Sequence, residues 1–340
     1  MSRIILFGGS FNPIHHGHLA IAKAALKQVQ ASELWFLPSL QSPLKDSPLA
    51  SFEHRCQMVQ LMIKPFRKMR LSRIEAEREG LSYTYDTVKR LIERYPDHQF
   101  IWLMGSDQML QFDKWHRHEE LMALVKFAVY PRAHDHVITE PFMPIETNQI
   151  YPNASELIRQ GFVKYADPKI VHYFMANALY IDSIVKSSLS ASRYNHVKAM
   201  TDLALRLGRA HRLDQTQIYL AAMLHDIAKE WPKGLLAQWL NFVHPAYLNE
   251  APALWHQKVG AAYAHRVLQI RDKEVLSAIA HHVEGDNAPL AQVIYIADKC
   301  DKTRPYDASE MIEVAMIDLN RGYQLVHDLQ MIHLEKEKHI

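Results

Sequence analysis

The sequence predicts a two-part chain, a doubly wound α/β domain followed by an all-α domain, and three observations lead there. Over the first half, short apolar runs rich in branched and aromatic residues alternate with stretches of helical periodicity. Such alternation implies parallel strands with helices crossing over both faces. After about Tyr180 the strand signals stop, a serine-rich stretch runs from Ser187 to Ser192, and helical patterns follow one another to the end. The 340 residues exceed the usual single domain of roughly 100 to 200, and 48% hydrophobic content can fill a core in each half. The expected domains are residues 1–184 and 185–340.

Strands are expected at Ile4 to Phe7, Leu34 to Leu37, Met69 to Ile74, Phe100 to Met104 and Phe127 to Tyr130. Helices are expected between them at His18 to Val29, Phe52 to Ile63 and Thr84 to Tyr95. In a doubly wound sheet the ligands belong beyond the C-terminal strand ends. In the second half, Val197, Met200, Leu203, Ala204 and Leu207 share one helical face. Further helices are expected at Ile218 to Lys229, Val259 to Leu268, Glu274 to His282 and Leu290 to Lys299.

A net charge of +2 with 22% charged residues gives no broad positive field, so neither nucleic acid nor a membrane surface is an expected partner. Small polar substrates fit better. Cys56 and Cys300 are the two cysteines, far apart and in no metal-like pair, which excludes a disulfide framework and suits a reducing cytoplasm. The chain starts directly on an apolar strand pattern with no signal peptide, and no segment approaches the roughly 20 apolar residues that span a bilayer. Oligomeric state stays open. Histidine, with 21 copies, is over-used.

Between Gly8 and His18 the sequence reads GGSFNPIHHGH. Gly8 and Gly9 let the backbone turn tightly after the first strand, Ser10 adds a hydroxyl donor, and a helix begins near His18. The unpaired amides and positive dipole end of that helix favour an anion such as a triphosphate. His15 and His18 flank Gly17, where a side chain would obstruct a ligand, and both imidazoles can donate to charge developing on phosphates.

The string resembles the GSFDPxHxGH signature of the nicotinate mononucleotide adenylyltransferase family, and the resemblance runs in order through roughly the first 180 residues. It implies ATP binding by Gly8, Gly9, Ser10 and Phe11, with His15 and His18 as catalytic residues. Ser42, Pro43, Leu44 and Lys45 resemble the family's PPHK loop, which gives Lys45 phosphate contacts. Gly105 and Asp107 resemble its GxD near the ATP ribose, and Ser155 with Arg159 resembles its SSTxIR phosphate motif. Thr84 in a Ser-Tyr-Thr segment, Trp115 as a ring-stacking tryptophan, and Arg132 are implied on the nicotinate side. The implied reaction is attack of the mononucleotide phosphate on the α-phosphorus of ATP, assisted by Mg²⁺, releasing pyrophosphate. Asn12 stands where the family usually has aspartate, and Glu156 stands within the phosphate motif.

In the helical half, His196, His225 with Asp226, His256, His282 and Asp298 recur about once per helix. Nitrogen and carboxylate donors without a thiolate suit iron, manganese or zinc, and six such groups can hold two divalent ions for hydrolysis. The adjacent His225 and Asp226 end an apolar helix, where burial is costly unless they are paired or metal-bound. Residues from Ser187 to Asp328 resemble the HD superfamily of metal-dependent phosphohydrolases, in its branch of symmetrical bis(5′-nucleosyl)-tetraphosphatases. The resemblance implies a di-iron site splitting diadenosine tetraphosphate into two ADP. It gives Asp226 and Lys229 catalytic roles, and it assigns Arg193, Lys229 and Arg304 to substrate phosphates.

The leading expectation is therefore a bifunctional nucleotide enzyme. Asn12 and Glu156 keep an alternative in view, a catalytic HD half with a degenerate nucleotide-binding front that regulates it. A further alternative makes the HD half a nucleotide sensor without hydrolysis.

Overall fold

The computed structural model describes residues 2–40, 50–77, 83–132, 137–147, 151 and 153–338, with side chains in the final helix described to residue 332. Contacts divide the chain into two compact units, residues 1–158 with 164–170, and residues 159–163 with 171–340.

The first unit runs β1 (Ser2–Gly9), α1 (His16–Gln28), β2 (Glu33–Pro38), α2 (Phe52–Ile63), β3 (Met69–Leu71), α3 (Thr84–Arg94) and β4 (His98–Gly105), followed by the short α4 (Ser106–Met109), α5 (His118–Leu124), β5 (Lys126–Tyr130), β6 (Met143–Pro144) and α6 (Ala154–Arg159). Its six strands are parallel in the order β3-β2-β1-β4-β5-β6. The order reverses between β1 and β4, and the crevice at that point is where such sheets receive a ligand. Ile4, Ile5, Leu6 and Phe7 are at most 2% exposed, so the centre of β1 is covered on both faces and reads as a continuous apolar run. One face packs Leu6, Trp102 and Phe127 against Val88 and Leu91 of α3 and Leu121 of α5.

Two details differ from expectation. The third strand stops at Leu71 because its pairing with β2 covers only Leu34 to Phe36, and a 3₁₀ turn at Ile74–Glu77 then carries Ile74 into the core. The two-residue β6 is too short to show any periodicity, and its proline suits a sheet edge.

Among its described residues the second unit holds helices and no strand: α7 (Pro168–Ala176, beginning just ahead of it), α8 (Ile181–Ser188), α9 (Ala191–Ala210), α10 (Gln215–Leu224), α11 (Lys233–Val243), α12 (Trp255–Arg266), α13 (Lys273–His281), α14 (Pro289–Cys300), α15 (Ser309–Ile317) and α16 (Leu319–Lys338). From Leu290 to Asp298 every residue of α14 is buried, so it is the central helix of this unit. Ser190 and Asp214 cap α9 and α10 through side-chain acceptors. The helix expected through Lys229 ends at Leu224, where the Ala222 carbonyl accepts the imidazole of His225 and tight turns from Leu224 to Lys229 replace helical bonds. Among the described residues no helix is long and apolar enough to cross a membrane.

Candidate functional site

In the first unit the turn after β1 is shaped by close approach. A Cβ on Gly8 would lie 2.5 Å from the Trp102 ring, and one on Gly17 would lie 2.7 Å from Tyr151 and 2.9 Å from His15. Phe11 holds a left-handed φ of 46° that costs a non-glycine residue about 1–2 kcal/mol. Its buried ring, edge-on to Phe7, Phe36 and His18, keeps the turn in that form. Arg55, 1% exposed, sends its guanidinium to the carbonyls of Ser10, Leu40 and Ala50, while Asn12 Oδ1 accepts the Ala50 amide.

His15 caps α1, with its Nδ1 accepting the Gly17 amide at 3.1 Å, and His18 Nδ1 accepts the His15 amide at 3.2 Å. In neutral imidazoles that places both protons on Nε2, so the two rings, 3.8 Å apart, present donors rather than acceptors. Burial, with the positive charges of Arg132 and His16 adding to it, lowers the His15 pKa to about 3. A recess lined by His15, His18, Tyr130, Arg132 and Tyr151 opens beside them. Arg132 donates its amide to Ser106 Oγ at 2.8 Å, and its Nε lies 3.5 Å from Asp107, with Gly105 beneath the pair. Elsewhere at this end of the sheet, Trp115 leans edge-on against Trp102, and Tyr83 and His116, the neighbours of Thr84 and Trp115, bring their rings to 4.7 Å.

In the second unit four imidazoles converge on two carboxylates. His225, His256 and His282 each turn Nδ1 to the carbonyl three residues back, at 2.7, 2.9 and 2.8 Å, so each leaves a bare Nε2. Those nitrogens gather on Asp226, at 3.6, 3.3 and 3.4 Å. His256 and His282 face each other Nε2 to Nε2 at 3.1 Å, and the Nε2 of His225 is buried without a hydrogen bond. His196 Nε2 meets Asp298 at 3.1 Å.

Burial favours a protonated Asp226, but in the metal-free site a proton taken up on a facing Nε2 outweighs it and holds the carboxyl well below its usual range. Asp298 is held down likewise, against burial, by Lys299 and His196. Burial lowers His225, and lowers His282 to about 4, whereas hydrogen bonds to Asp298 and Asp301 override burial and lift His196 to about 9. Two overlapping groups, His196–His225–Asp298 and His225–Asp226–His282, bring their donor atoms within 4.8 Å of one another. Facing lone pairs, an orphaned nitrogen and buried carboxylates fit a divalent cation, and the absence of thiolate fits iron, manganese or zinc.

Residues 6–161 match the family model described as cytidylyltransferase-like, and residues 193–303 match that of the HD domain. The nicotinate-nucleotide adenylyltransferase of Bacillus subtilis is 36% identical over 53% of this chain and 99% of its own length. The chain belongs to the nicotinate-nucleotide adenylyltransferase family. A Mycoplasma pneumoniae protein named probable nicotinate-nucleotide adenylyltransferase/Ap4A hydrolase is 27% identical over 94% of this chain and 97% of its own. A solved Clostridium acetobutylicum protein, titled a predicted HD superfamily hydrolase involved in NAD metabolism, is 25% identical with a TM-score of 0.44, covering 46% of this chain and 87% of that one.

In this member of the adenylyltransferase family, several of the residues singled out in the sequence are neighbours. Gly8, Gly17, His15 and His18 share the turn at the head of α1, and Arg132, expected on the nicotinate side, lines the recess with both histidines. Ser155 Oγ donates to the Pro13 carbonyl at 3.0 Å, which ties α6 to the turn, and Glu156 is exposed. Arg159 closes α6, where the chain passes from the first compact unit to the second. Lys45, with the rest of its loop, lies outside the described residues.

Around the HD cluster, Arg193 Nη1 reaches Asp226 at 3.1 Å and Lys229 Nζ lies 3.4 Å from His256. Arg304 is committed to Asp298, donating to its backbone carbonyl and, at 2.8 Å, to its carboxylate. His282 points into the cluster, whereas His281 bonds the Ser277 carbonyl. Sequence reading missed Trp102, which touches both the Gly8 turn and Trp115, as well as Arg55 and Asp301.

Proposed function

We propose that the chain carries two activities. Residues 1–184 transfer the adenylyl group of ATP to nicotinate mononucleotide, whose phosphate oxygen attacks the α-phosphorus while pyrophosphate leaves, giving nicotinate adenine dinucleotide. Residues 185–340 hydrolyse diadenosine tetraphosphate, with one water, to two ADP. The names of the relatives that span nearly the whole chain support this pairing. The observation that carries it is the orientation of both imidazole sets: His15 and His18 held as donors, and His225, His256 and His282 held as bare acceptors over Asp226.

In the first unit no protein nucleophile is required. His15 and His18 bind the phosphates of ATP through Nε2–H, with the amides at the head of α1 and Ser10 completing the anion cradle. Lys45, Arg159 and Ser155 add phosphate contacts, Gly105 and Asp107 receive the ribose, and Thr84, Trp115 and Arg132 hold the nicotinate mononucleotide. In the second unit His196, His225, Asp226, His256, His282 and Asp298 hold two divalent ions, and Arg193, Lys229 and Arg304 face substrate phosphates. Mg²⁺ with ATP and iron in the helical half supply charge neutralisation and Lewis acidity when bound. Two buried thiols, Cys56 and Cys300, suit a reducing cytoplasm.

Supplying purified protein with ATP and either nicotinate or nicotinamide mononucleotide, and following pyrophosphate, tests the transferase. Release with the nicotinate substrate supports it, and none with either leaves the first unit as a regulatory nucleotide-binding module.

A further inference from the structure

We propose that Asp301 and Thr303 form an orienting pair for His196 that makes one of the two metal positions depend on a carboxylate behind its histidine, unlike the other. This rests on the hydrolase reading above. Three of the four imidazoles turn Nδ1 to a backbone carbonyl three residues back. His196 lies within α9, whose interior carbonyls are taken by helical bonds, and it takes a different anchor.

Its Nδ1 lies 3.2 Å from Asp301 Oδ2 and 3.3 Å from Thr303 Oγ1. The Asp301 side chain is 0% exposed, and its Oδ1 accepts the Thr303 hydroxyl at 2.5 Å and the Thr303 amide at 2.9 Å. With its proton given to Asp301, the hydroxyl turns a lone pair to His196 Nδ1–H. Asp301 Oδ2, a buried oxygen without a hydrogen bond, stands 3.2 Å behind the same nitrogen and 3.4 Å from Arg304 Nε, held by charge. Nδ1 therefore keeps its proton against this anchor, and Nε2, which faces Asp298 at 3.1 Å, is the nitrogen that would give up its proton to take a metal.

A carboxylate behind a ligating imidazole fixes its tautomer and raises its basicity more than a neutral carbonyl does, and losing such a partner typically costs 10- to 100-fold in metal affinity. The His196–His225–Asp298 group has this support, and the His225–Asp226–His282 group does not. Asp301 is thus a positioning residue for one position.

The test is titration of metal-stripped full-length protein with Mn²⁺, followed by calorimetry, with the apo-protein melting temperature measured alongside. Wild type is expected to bind two ions. Asp301→Asn should weaken one binding event roughly 10- to 100-fold and leave the other unchanged. Thr303→Val should weaken the same event to a smaller extent, and it decides the matter alone if Asp301→Asn fails to fold. Two unchanged events in both variants, or equal weakening of both events, overturns the inference while the hydrolase reading stands. No Mn²⁺ binding by wild type removes both.

Discussion

His256 and His282 oppose each other nitrogen to nitrogen across 3.1 Å, and as neutral imidazoles neither has a proton to place between them, because each turns Nδ1–H to a backbone carbonyl. Two lone pairs at that distance repel, and a cation bound between them and Asp226 turns the repulsion into coordination. Divalent metal should therefore stabilise the helical unit. At 100 times its dissociation constant, an ion that binds only the folded state adds about 2.7 kcal/mol. Thermal melts with and without a chelator check this, and an unchanged melting temperature speaks against the metal centre.

His15→Gln and His18→Gln remove donors aimed at charge that develops in the transition state. Each should lower kcat for pyrophosphate release roughly 100- to 1000-fold while changing KM by little. Steady-state kinetics on both substrates separates this from a binding defect, which would raise KM instead.

The buried, neutral His15 also predicts a pH dependence of stability. Its pKa falls from 6.5 to about 3 on folding, so below 6.5 the unfolded chain binds a proton that the folded one does not. The stability it contributes is complete above 6.5 and is lost as pH falls from 6.5 towards 3, by roughly 1.4 kcal/mol per pH unit. Denaturant titrations at pH 7 and pH 5 should show a smaller loss for His15→Gln than for wild type. Equal losses would place the titration elsewhere.

A methyl group on Gly8 meets the Trp102 ring at 2.5 Å, and Trp102 in turn supports Trp115. Gly8→Ala should destabilise by about 1–3 kcal/mol through overpacking. Trp115→Ala removes a half-buried ring packed on Trp102 and Phe112, and beyond its own cost in stability it should raise KM for nicotinate mononucleotide about 10-fold or more, as loss of ring stacking does. Chemical denaturation with KM measurements on the two variants distinguishes these effects.

The features legible in the sequence were local ones. Gly8 to His18 are consecutive from the end of β1 to the head of α1, so their grouping could be read from a single string, and the parallel sheet followed from alternating patterns along β1 to β5. Regular spacing also pointed to the buried histidines of the helical half, since each sits on a separate element. What stayed hidden depends on tertiary neighbours. Nothing in the sequence aligns Trp102 with Gly8, because they meet only when β1 and β4 pair. Arg55 reads as an ordinary helix cation until its three carbonyl partners close around it. That Arg304 also donates to Asp298 is likewise visible only in the folded chain.

The central claim is that one chain holds two separate chemistries, and one measurement addresses it most directly. Wild type, His18→Gln and His225→Ala are each assayed for pyrophosphate from ATP with nicotinate mononucleotide and for ADP from diadenosine tetraphosphate. The account predicts both products from wild type, only ADP near the wild-type rate from His18→Gln, and only pyrophosphate near the wild-type rate from His225→Ala. A wild-type protein lacking either product, or one substitution abolishing both, would contradict it.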